Sequence, residues 1–237
     1  MELPHRMILW DVDGTLTMSG EAAQRAFDLA VASVAGRDAS GHGVHMSGKT
    51  DPQIALEIMA ALDLAEDEAK RLLPSVLEGL VKELEAAEET IRRNGRVLPG
   101  VRELLPMLHR PPRIVQSLLT GNLAPNAALK LRAFGLERWV DLEVGAYGSD
   151  DRDRTVLVPI AVAKAEGRYG YRFEPQQVWV VGDTPRDLEC ARAAGARCLL
   201  VGTGRYAFED LRGLGADAVL RDLSDADKVC QLLLSDV

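Results

Sequence analysis

Cysteine and long apolar runs are scarce in this chain of 237 residues. Its three cysteines, Cys190, Cys198 and Cys230, are odd in number and lack the spacing of a zinc site, so we expect neither a disulfide framework nor structural zinc. No apolar run approaches the length of a membrane span, and the segment before the first apolar run resembles no secretion signal. These absences predict a cytoplasmic location and no membrane partner.

Positive charge is also in short supply. There are 28 Lys and Arg residues against 36 Asp and Glu residues, which gives a net charge of -8 and a pI near 5.1. Such a surface does not attract nucleic acids or anionic membranes, so neither is expected as a partner, although a small anion can bind at a local basic spot. The length fits one domain, alone or with a smaller second one. As for the oligomeric state, we expect a monomer or a homodimer.

An uninterrupted apolar stretch near the start leads directly into two acids. Met7 to Trp10 are all large and apolar, Asp11 and Asp13 follow, and Gly14 ends the run. A continuous apolar run is typical of a strand that helices cover on both faces, as in parallel sheets. Ligands bind at the carboxyl ends of such strands, so we expect Asp11 and Asp13 to lie at a functional site.

Residues 17–95 show only helical and loop patterns. Apolar residues recur at helical spacing in three stretches, 21–34, 54–62 and 66–93, and Asp51 before the second is expected to be its N-cap. Because strand patterns resume only later, we predict a helical domain over residues 17–95, inserted after the first strand.

Strand and helix patterns alternate over residues 96–237, which favours a mostly parallel sheet. We therefore predict an α/β fold in which residues 1–16 and 96–237 form a Rossmann-like parallel sheet core flanked by helices. After the first strand, the predicted strands are 113–119, 140–144, 178–181, 198–201 and 218–220.

Polar groups stand at three of the predicted strand ends: Asp11 with Asp13, Thr120, and Asp183 with Asp187. Four carboxylates in one crevice would repel one another unless a cation lay among them, and oxygen ligands of this kind suit Mg²⁺. One carboxylate can act as a nucleophile while a second protonates the leaving oxygen and activates water. The pattern therefore favours phosphoryl transfer.

Three segments together resemble the haloacid dehalogenase-like (HAD) hydrolases. Asp11-Val-Asp13-Gly-Thr-Leu is similar to the first motif of that superfamily, Leu-Thr120-Gly-Asn to the second, and Gly-Asp183-Thr-Pro-Arg-Asp187 to the fourth. The helical insertion is similar to the superfamily's inserted cap. The resemblance covers nearly the whole chain, with the motifs in the right order.

The resemblance implies a role for each motif residue. Asp11 would be the nucleophile that forms an aspartyl-phosphate, and Asp13 the general acid and base. Thr120 would bind the transferring phosphoryl group, with Gly121 and Asn122 beside it. Mg²⁺ would be held by residues of the first and fourth motifs: Asp11, the backbone carbonyl of Asp13, Asp183, and Asp187 as a ligand or as an outer support.

The third motif departs from the superfamily pattern, which has a Lys ahead of the helix that precedes the fourth motif. Here the region reads Asp-Asp-Arg152-Asp-Arg154-Thr. An Arg can also neutralise a phosphate. We expect Arg154 to take this place, with Arg152 as the alternative, whereas Lys164 lies too far into the helix.

The function implied is that of a phosphatase acting on a small phosphorylated metabolite, similar to phosphoglycolate phosphatase. A phosphoglucomutase-like phosphotransferase is the alternative, and a HAD-fold binding or regulatory protein with weak catalysis is another. The resemblance extends to the cap loop around Lys49, which would contact the substrate's phosphate or carboxylate.

Structural interpretations stay open for several of these residues. Thr120 suits the N-cap of the following helix, Asp187 suits a cap or an ion pair of its own helix, and Lys49 suits a solvated loop. His42 and His45 are expected at the surface, because they stand in a Gly-rich loop without a third metal ligand.

Overall fold

A computed structural model describes residues 5–111 and 113–235 of the chain. Residues 1–4, 112, 236 and 237, which belong to the predicted core, lie outside this description. The strands, numbered along the chain, are β1 (Arg6–Trp10), β2 (Thr17–Met18), β3 (Arg96–Val97), β4 (Ile114–Thr120), β5 (Ala146–Tyr147), β6 (Val178–Gly182), β7 (Arg197–Val201) and β8 (Ala218–Leu220).

Ten α-helices occur in the described part of the chain, and none of them is long and apolar enough to cross a bilayer. They are α1 (Ala22–Ala35), α2 (Asp51–Ala61), α3 (Glu66–Ala86), α4 (Glu88–Asn94), α5 (Val101–His109), α6 (Ala124–Ala133), α7 (Leu157–Tyr169), α8 (Pro185–Ala193), α9 (Phe208–Arg212) and α10 (Ala226–Leu234).

Six of the strands form one parallel sheet in the order β5-β4-β1-β6-β7-β8, so the predicted α/β fold is confirmed. Strand β1 lies inside the sheet, between β4 and β6. Its side chains alternate between two cores, with Ile8 and Trp10 in one and Met7 and Leu9 in the other. Burial on both faces explains the continuous apolar run from Met7 to Trp10 in this strand.

Helices α1 to α4 surround a third apolar cluster, which includes Phe27, Ile58 and Leu80. The cluster also takes in Leu129 of α6, so the helical insertion packs directly on the core. Strands β2 and β3 pair in antiparallel fashion where the chain leaves and re-enters the core. The insertion therefore contains one short strand, β2, before its helices. Its boundaries at residues 17 and 95 stay a prediction.

Two expectations within the insertion are wrong in detail. The predicted helix 66–93 is broken at Ala87, where φ is -91° and ψ is 1°, and the shorter α4 that follows buries Ile91 in the cluster. The N-cap of α2 is Thr50, whose hydroxyl accepts from the Gln53 N–H, rather than Asp51. The Asp51 carboxylate accepts instead from the backbone N–H of Leu123 in the core, at 2.8 Å.

The strand expected over 140–144 is also wrong. The backbone forms a 3₁₀ turn over Leu142–Val144, and the Asp141 side chain accepts from the Glu143 N–H at its start. An Asp that bonds the backbone two residues on favours such a turn over a ladder. The strand comes slightly later, where Ala146 pairs with Leu119 of β4.

Candidate active site

The carboxyl ends of three neighbouring strands meet at one cavity of about 350 Å³. Asp11 follows β1, Thr120 ends β4 and Asp183 follows β6, and all three line the cavity. The backbone N–H of Asp11 donates to Val181 O at 2.9 Å, which fixes the end of β1 against β6. Parallel pairing thus places residues that are far apart in sequence around one point.

Arg154 joins the first and fourth motifs. Its Nη2 lies 2.9 Å from Asp11 Oδ1 and 2.5 Å from Asp187 Oδ1, and all three side chains are buried. Burial alone would lower the pKa of Arg154, but the carboxylates of Asp187 and Asp11 outweigh it and raise that pKa, so the guanidinium stays charged. Its buried Nε has no hydrogen-bond partner among the described residues.

Arg154, and not the neighbouring Arg152, lines the cavity where the strand ends meet. Arg154 opens a 3₁₀ turn capped by Asp153, whose carboxylate accepts from the Thr155 N–H. The exposed Arg152 side chain instead lines a separate, smaller cavity beside Glu57. Lys164 is held by Asp150, with 2.8 Å between Nζ and Oδ1, so it does not reach the site.

Asp183 lies against the first motif with little space to spare. Gly14 has a φ of +92°, and a Cβ there would lie 2.5 Å from Asp183 Oδ2, so this position requires glycine. Burial and the nearby charge of Asp11 raise the pKa of Asp183. Burial likewise raises the pKa of Asp11, although Arg154 partly offsets it. Each of these buried carboxylates makes the other harder to ionise, and a cation between them would offset that repulsion.

The donor set fits Mg²⁺. Asp11 and Asp183 would supply carboxylate oxygens and Asp13 a backbone carbonyl, which would leave positions for water and a phosphate oxygen, as Mg²⁺ prefers. Across residues 5–111 and 113–235 no three acidic, histidine or cysteine side chains form a metal cluster by themselves. An ion here would therefore depend on the carbonyl, water and substrate as well as on the two carboxylates.

Both oxygens of Asp187 are already engaged. Oδ1 accepts from Arg154, while Oδ2 accepts from the backbone N–H of Thr184 at 2.9 Å and from its hydroxyl at 2.7 Å. This capping box begins α8. Asp187 thus contacts both Arg154 and the fourth-motif turn, an arrangement that favours the outer support over the direct ligand.

A second buried cation, Lys130, lies beside Asp13, and the sequence analysis did not identify it. Its Nζ is 2.5 Å from Asp13 Oδ2 and 2.7 Å from Asn122 Oδ1. Partial burial acts to raise the pKa of Asp13, but Lys130, Asn122 and Ser19 outweigh it and hold that pKa below its ordinary value. A signal was present, because Asn126 and Lys130 are four residues apart in α6, which places these two polar residues on one face of that helix.

The second motif also contacts the cap loop. Lys49 lines the cavity, but its ammonium is paired with Glu57, so its charge is already neutralised. The Lys49 carbonyl packs on Gly121, where a Cβ would lie only 2.0 Å from the oxygen. The Asp51 N–H donates to Gly121 O at 2.7 Å, which connects the cap to the core at the second motif.

The two histidines of the Gly-rich loop differ from each other. His45 is exposed and contacts Arg205 of the core, with 2.8 Å between Nδ1 and Nη1. The His42 side chain is only 2% exposed, so the surface expectation is wrong for it. The reason is local, because Val44 N–H donates to its Nδ1 and the ring packs against Gln24 and Asp28 of α1.

Known proteins resemble this chain over between about half and most of its length. A phosphoglycolate phosphatase of Chromobacterium violaceum is 28% identical over 129 residues, which are 54% of each protein. One of Photorhabdus laumondii is 24% identical over 226 residues, covering 93% of this chain and 90% of the relative. The chain thus spans only about half the length of the first relative.

Solved structures share the fold. The crystal structure of a predicted phosphoglycolate phosphatase from Haemophilus somnus has a TM-score of 0.68 at 22% identity and covers 96% of this chain and 98% of that one. The sequence model of the haloacid dehalogenase-like hydrolases matches residues 5–195, which include all the motif residues described above. The chain belongs to the haloacid dehalogenase-like hydrolase family.

Proposed function

We propose that this hydrolase is a Mg²⁺-dependent phosphatase of small phosphorylated metabolites, similar to phosphoglycolate phosphatase, and that it works through an aspartyl-phosphate on Asp11. The observation that carries the proposal is the meeting of Asp11 with a buried, charged Arg154 and with the Thr120 hydroxyl at one cavity. A nucleophile, a cation and a hydroxyl donor are the groups that phosphoryl transfer requires.

In the first step an oxygen of Asp11 bonds to phosphorus while the bond from phosphorus to the leaving oxygen breaks. Asp13 gives its proton to that oxygen, so the leaving group departs as an alcohol. Without substrate the pKa of Asp13 is below its ordinary value, which favours the carboxylate that accepts a proton over the acid that donates one. A bound phosphate is negative and therefore raises this pKa. In the second step water attacks phosphorus, its proton goes to Asp13, and the Asp11 carboxylate is released with inorganic phosphate.

The remaining side chains bind and orient. Arg154 and Thr120 donate to phosphoryl oxygens, and the backbone N–H groups of Gly121 and Asn122 lie beside them. Asp11, Asp183 and the Asp13 carbonyl would hold Mg²⁺, with Asp187 as support. When bound, the ion neutralises charge on the phosphoryl oxygens.

The cavity and the charge balance define the expected partner. A space of about 350 Å³ fits a small metabolite, and a net charge of -8 disfavours nucleic acid. Lys49 reaches a substrate carboxylate only by exchanging its Glu57 partner, and the exposed Arg152 side chain lies outside this cavity. A cytoplasmic location and a monomer or homodimer complete the proposal.

The test is phosphate release from a panel of small phosphorylated metabolites, phosphoglycolate included, with Mg²⁺ or with a chelator. We expect release by the wild type that disappears with the chelator and in Asp11→Asn, which preserves side-chain size but removes the nucleophile. Glu85→Gln, an exposed carboxylate-to-amide change on α3, is the matched control and should leave release unchanged. An Asp11→Asn chain as active as the wild type would refute the mechanism, and no release from any substrate would refute the phosphatase.

A further inference from the structure

Lys130 is a buried lysine that none of the family motifs includes. It lies on α6, and its side chain is only 3% exposed, whereas the Asp13 side chain that it contacts is 39% exposed at the cavity. A buried ammonium is costly unless its hydrogens find acceptors. Asp13 Oδ2 and Asn122 Oδ1 provide two, at 2.5 Å and 2.7 Å.

The contacts around Asp13 fix the direction of its carboxylate. Oδ2 accepts from Lys130 and from Asn122 Nδ2, the latter at 2.9 Å, while Oδ1 accepts from the Ser19 hydroxyl at 3.2 Å. The two stronger donors therefore hold one oxygen inside the protein. The other oxygen has only the long bond from Ser19, which leaves it available to a reacting group in the cavity.

Lys130 also sets the orientation of the Asn122 amide. A lysine has only donors, so Asn122 must turn its oxygen towards Nζ and its nitrogen away. That nitrogen then donates to Thr120 Oγ1, at 2.8 Å. Because the Thr120 oxygen already accepts this bond, the hydroxyl proton is free to point at a phosphoryl oxygen.

We propose that Lys130 is a positioning residue for proton transfer, which holds Asp13 so that its free oxygen meets the leaving oxygen of the substrate. The inference rests on the proposed phosphatase function and adds to it a residue from outside the motifs. Through Asn122, the same ammonium also orients the hydroxyl of Thr120. Its loss should affect most those substrates whose leaving group depends on a proton.

Comparing substrates with different leaving groups distinguishes a positioning role of Lys130 from a merely structural one. Phenyl phosphate has a poor leaving group that needs the proton from Asp13, whereas p-nitrophenyl phosphate has a good one that needs it little. For Lys130→Met, which keeps the apolar stem, we expect kcat/KM for phenyl phosphate to fall about 100-fold. The fall for p-nitrophenyl phosphate should be at least several-fold smaller.

Conservative and remote variants control the experiment. Lys130→Arg retains donors and should preserve the ratio of the two substrates better than Lys130→Met does. Lys82→Met, on the exposed face of α3, should change neither value. An equal fall for both substrates in Lys130→Met, or equal ratios in the Met and Arg variants, would overturn the positioning role.

The free energy of unfolding of each variant is measured as well, so that a loss of activity can be distinguished from a loss of folding. If Lys130→Met does not fold, Lys130→Gln takes its place with the same expectation. Failure of both to fold, while Lys82→Met folds, would make Lys130 a structural residue and overturn the proposal. A wild type that releases phosphate neither from the aryl phosphates nor from any metabolite of the panel would overturn the phosphatase function and this inference together, whereas a uniform loss in the variants would overturn this inference alone.

Discussion

The guanidinium of Arg154 donates to the carboxylate of Asp11 across 2.9 Å, although 143 positions separate the two residues. Both side chains are buried, so the pair is weakly screened by solvent. The same nitrogen contacts Asp187, which links the expected nucleophile to the fourth motif through one cation. This arrangement supports the proposal that Arg154 takes the place of the third-motif lysine.

This contact predicts that Arg154 is essential and that its neighbour is not. For Arg154→Met we expect kcat/KM to fall about 100-fold or more, as for the loss of one preorganised donor to the transition state. Removing the guanidinium also leaves Asp11 and Asp187 as unpaired buried carboxylates, so stability should fall as well.

The matched control is Arg152→Met, because that side chain is exposed and lies at a different cavity. Its kcat/KM should stay within about threefold of the wild type, since exposed residues away from a site contribute little. Steady-state kinetics with chemical unfolding of each variant separates activity from stability. A larger kinetic loss in Arg152→Met than in Arg154→Met would reverse the assignment.

Mutual repulsion between Asp11 and Asp183 predicts a strong response to Mg²⁺. A cation that binds the folded state raises its stability by mass action, so millimolar Mg²⁺ should raise Tm. Asp183→Asn removes one of the two repelling charges. We expect this variant to have a higher Tm than the wild type without the metal and a smaller shift with it.

Thermal unfolding across a Mg²⁺ series measures this effect without relying on activity. Glu85→Gln, on the exposed face of α3, should keep the full wild-type shift. A full shift in Asp183→Asn would mean that the ion binds elsewhere.

Asp51 predicts a pH dependence of stability. Burial raises its pKa to about 6, while Lys130 and the donors from Leu123 and Asn126 act in the opposite direction. Because the folded-state pKa is above the unfolded value of 3.8, the fold favours the protonated form. That contribution to stability is present at low pH and is lost as the pH rises through about 6.

Asn at position 51 keeps an acceptor oxygen but cannot ionise. The free energy of unfolding of Asp51→Asn, relative to the wild type, should therefore rise by about 1 kcal/mol between pH 5 and pH 8. Urea unfolding at the two pH values checks this, with Glu85→Gln expected to show no such change. A difference that stays constant with pH would contradict the raised pKa.

The close approach of the cap to Gly121 makes a further prediction. A Cβ at this position would meet the Lys49 carbonyl, which is backbone and cannot rotate away. Gly121→Ala should therefore lower stability by about 1–3 kcal/mol and reduce activity by shifting the second motif.

Gly167 offers the matched substitution. It lies in α7 with nothing within 4 Å of a Cβ, so alanine there should be neutral or stabilise the helix. Chemical unfolding compares the two variants directly. Equal effects at positions 121 and 167 would show that the cap backbone moves freely off the core.

The features that sequence predicts best here are those that depend on short, continuous patterns. The apolar run before Asp11 could be interpreted as a strand because both faces of β1 are buried, and the alternation of strand and helix patterns then predicted the parallel sheet. The choice of Arg154 depended only on its place just before a helix. In each case neighbouring residues carried the information.

The features that were missed depend on tertiary packing. The break at Ala87 exists because α4 turns to bury Ile91, which helical spacing alone does not reveal. Asp51 has the residue type of an N-cap, but its carboxylate bonds a backbone amide 72 positions away. Lys130 faces Asp13 only after β1 and α6 have come together.

The phosphoenzyme itself tests the central claim most directly. Wild-type protein mixed with Mg²⁺ and a substrate that it hydrolyses would be quenched in acid within milliseconds, digested with pepsin and mapped by mass spectrometry. We predict a phosphoryl group on the peptide that contains Asp11, at Asp11 itself, and none in Asp11→Asn. A phosphoryl group on another residue, or phosphate release by Asp11→Asn at the wild-type rate, would contradict the account.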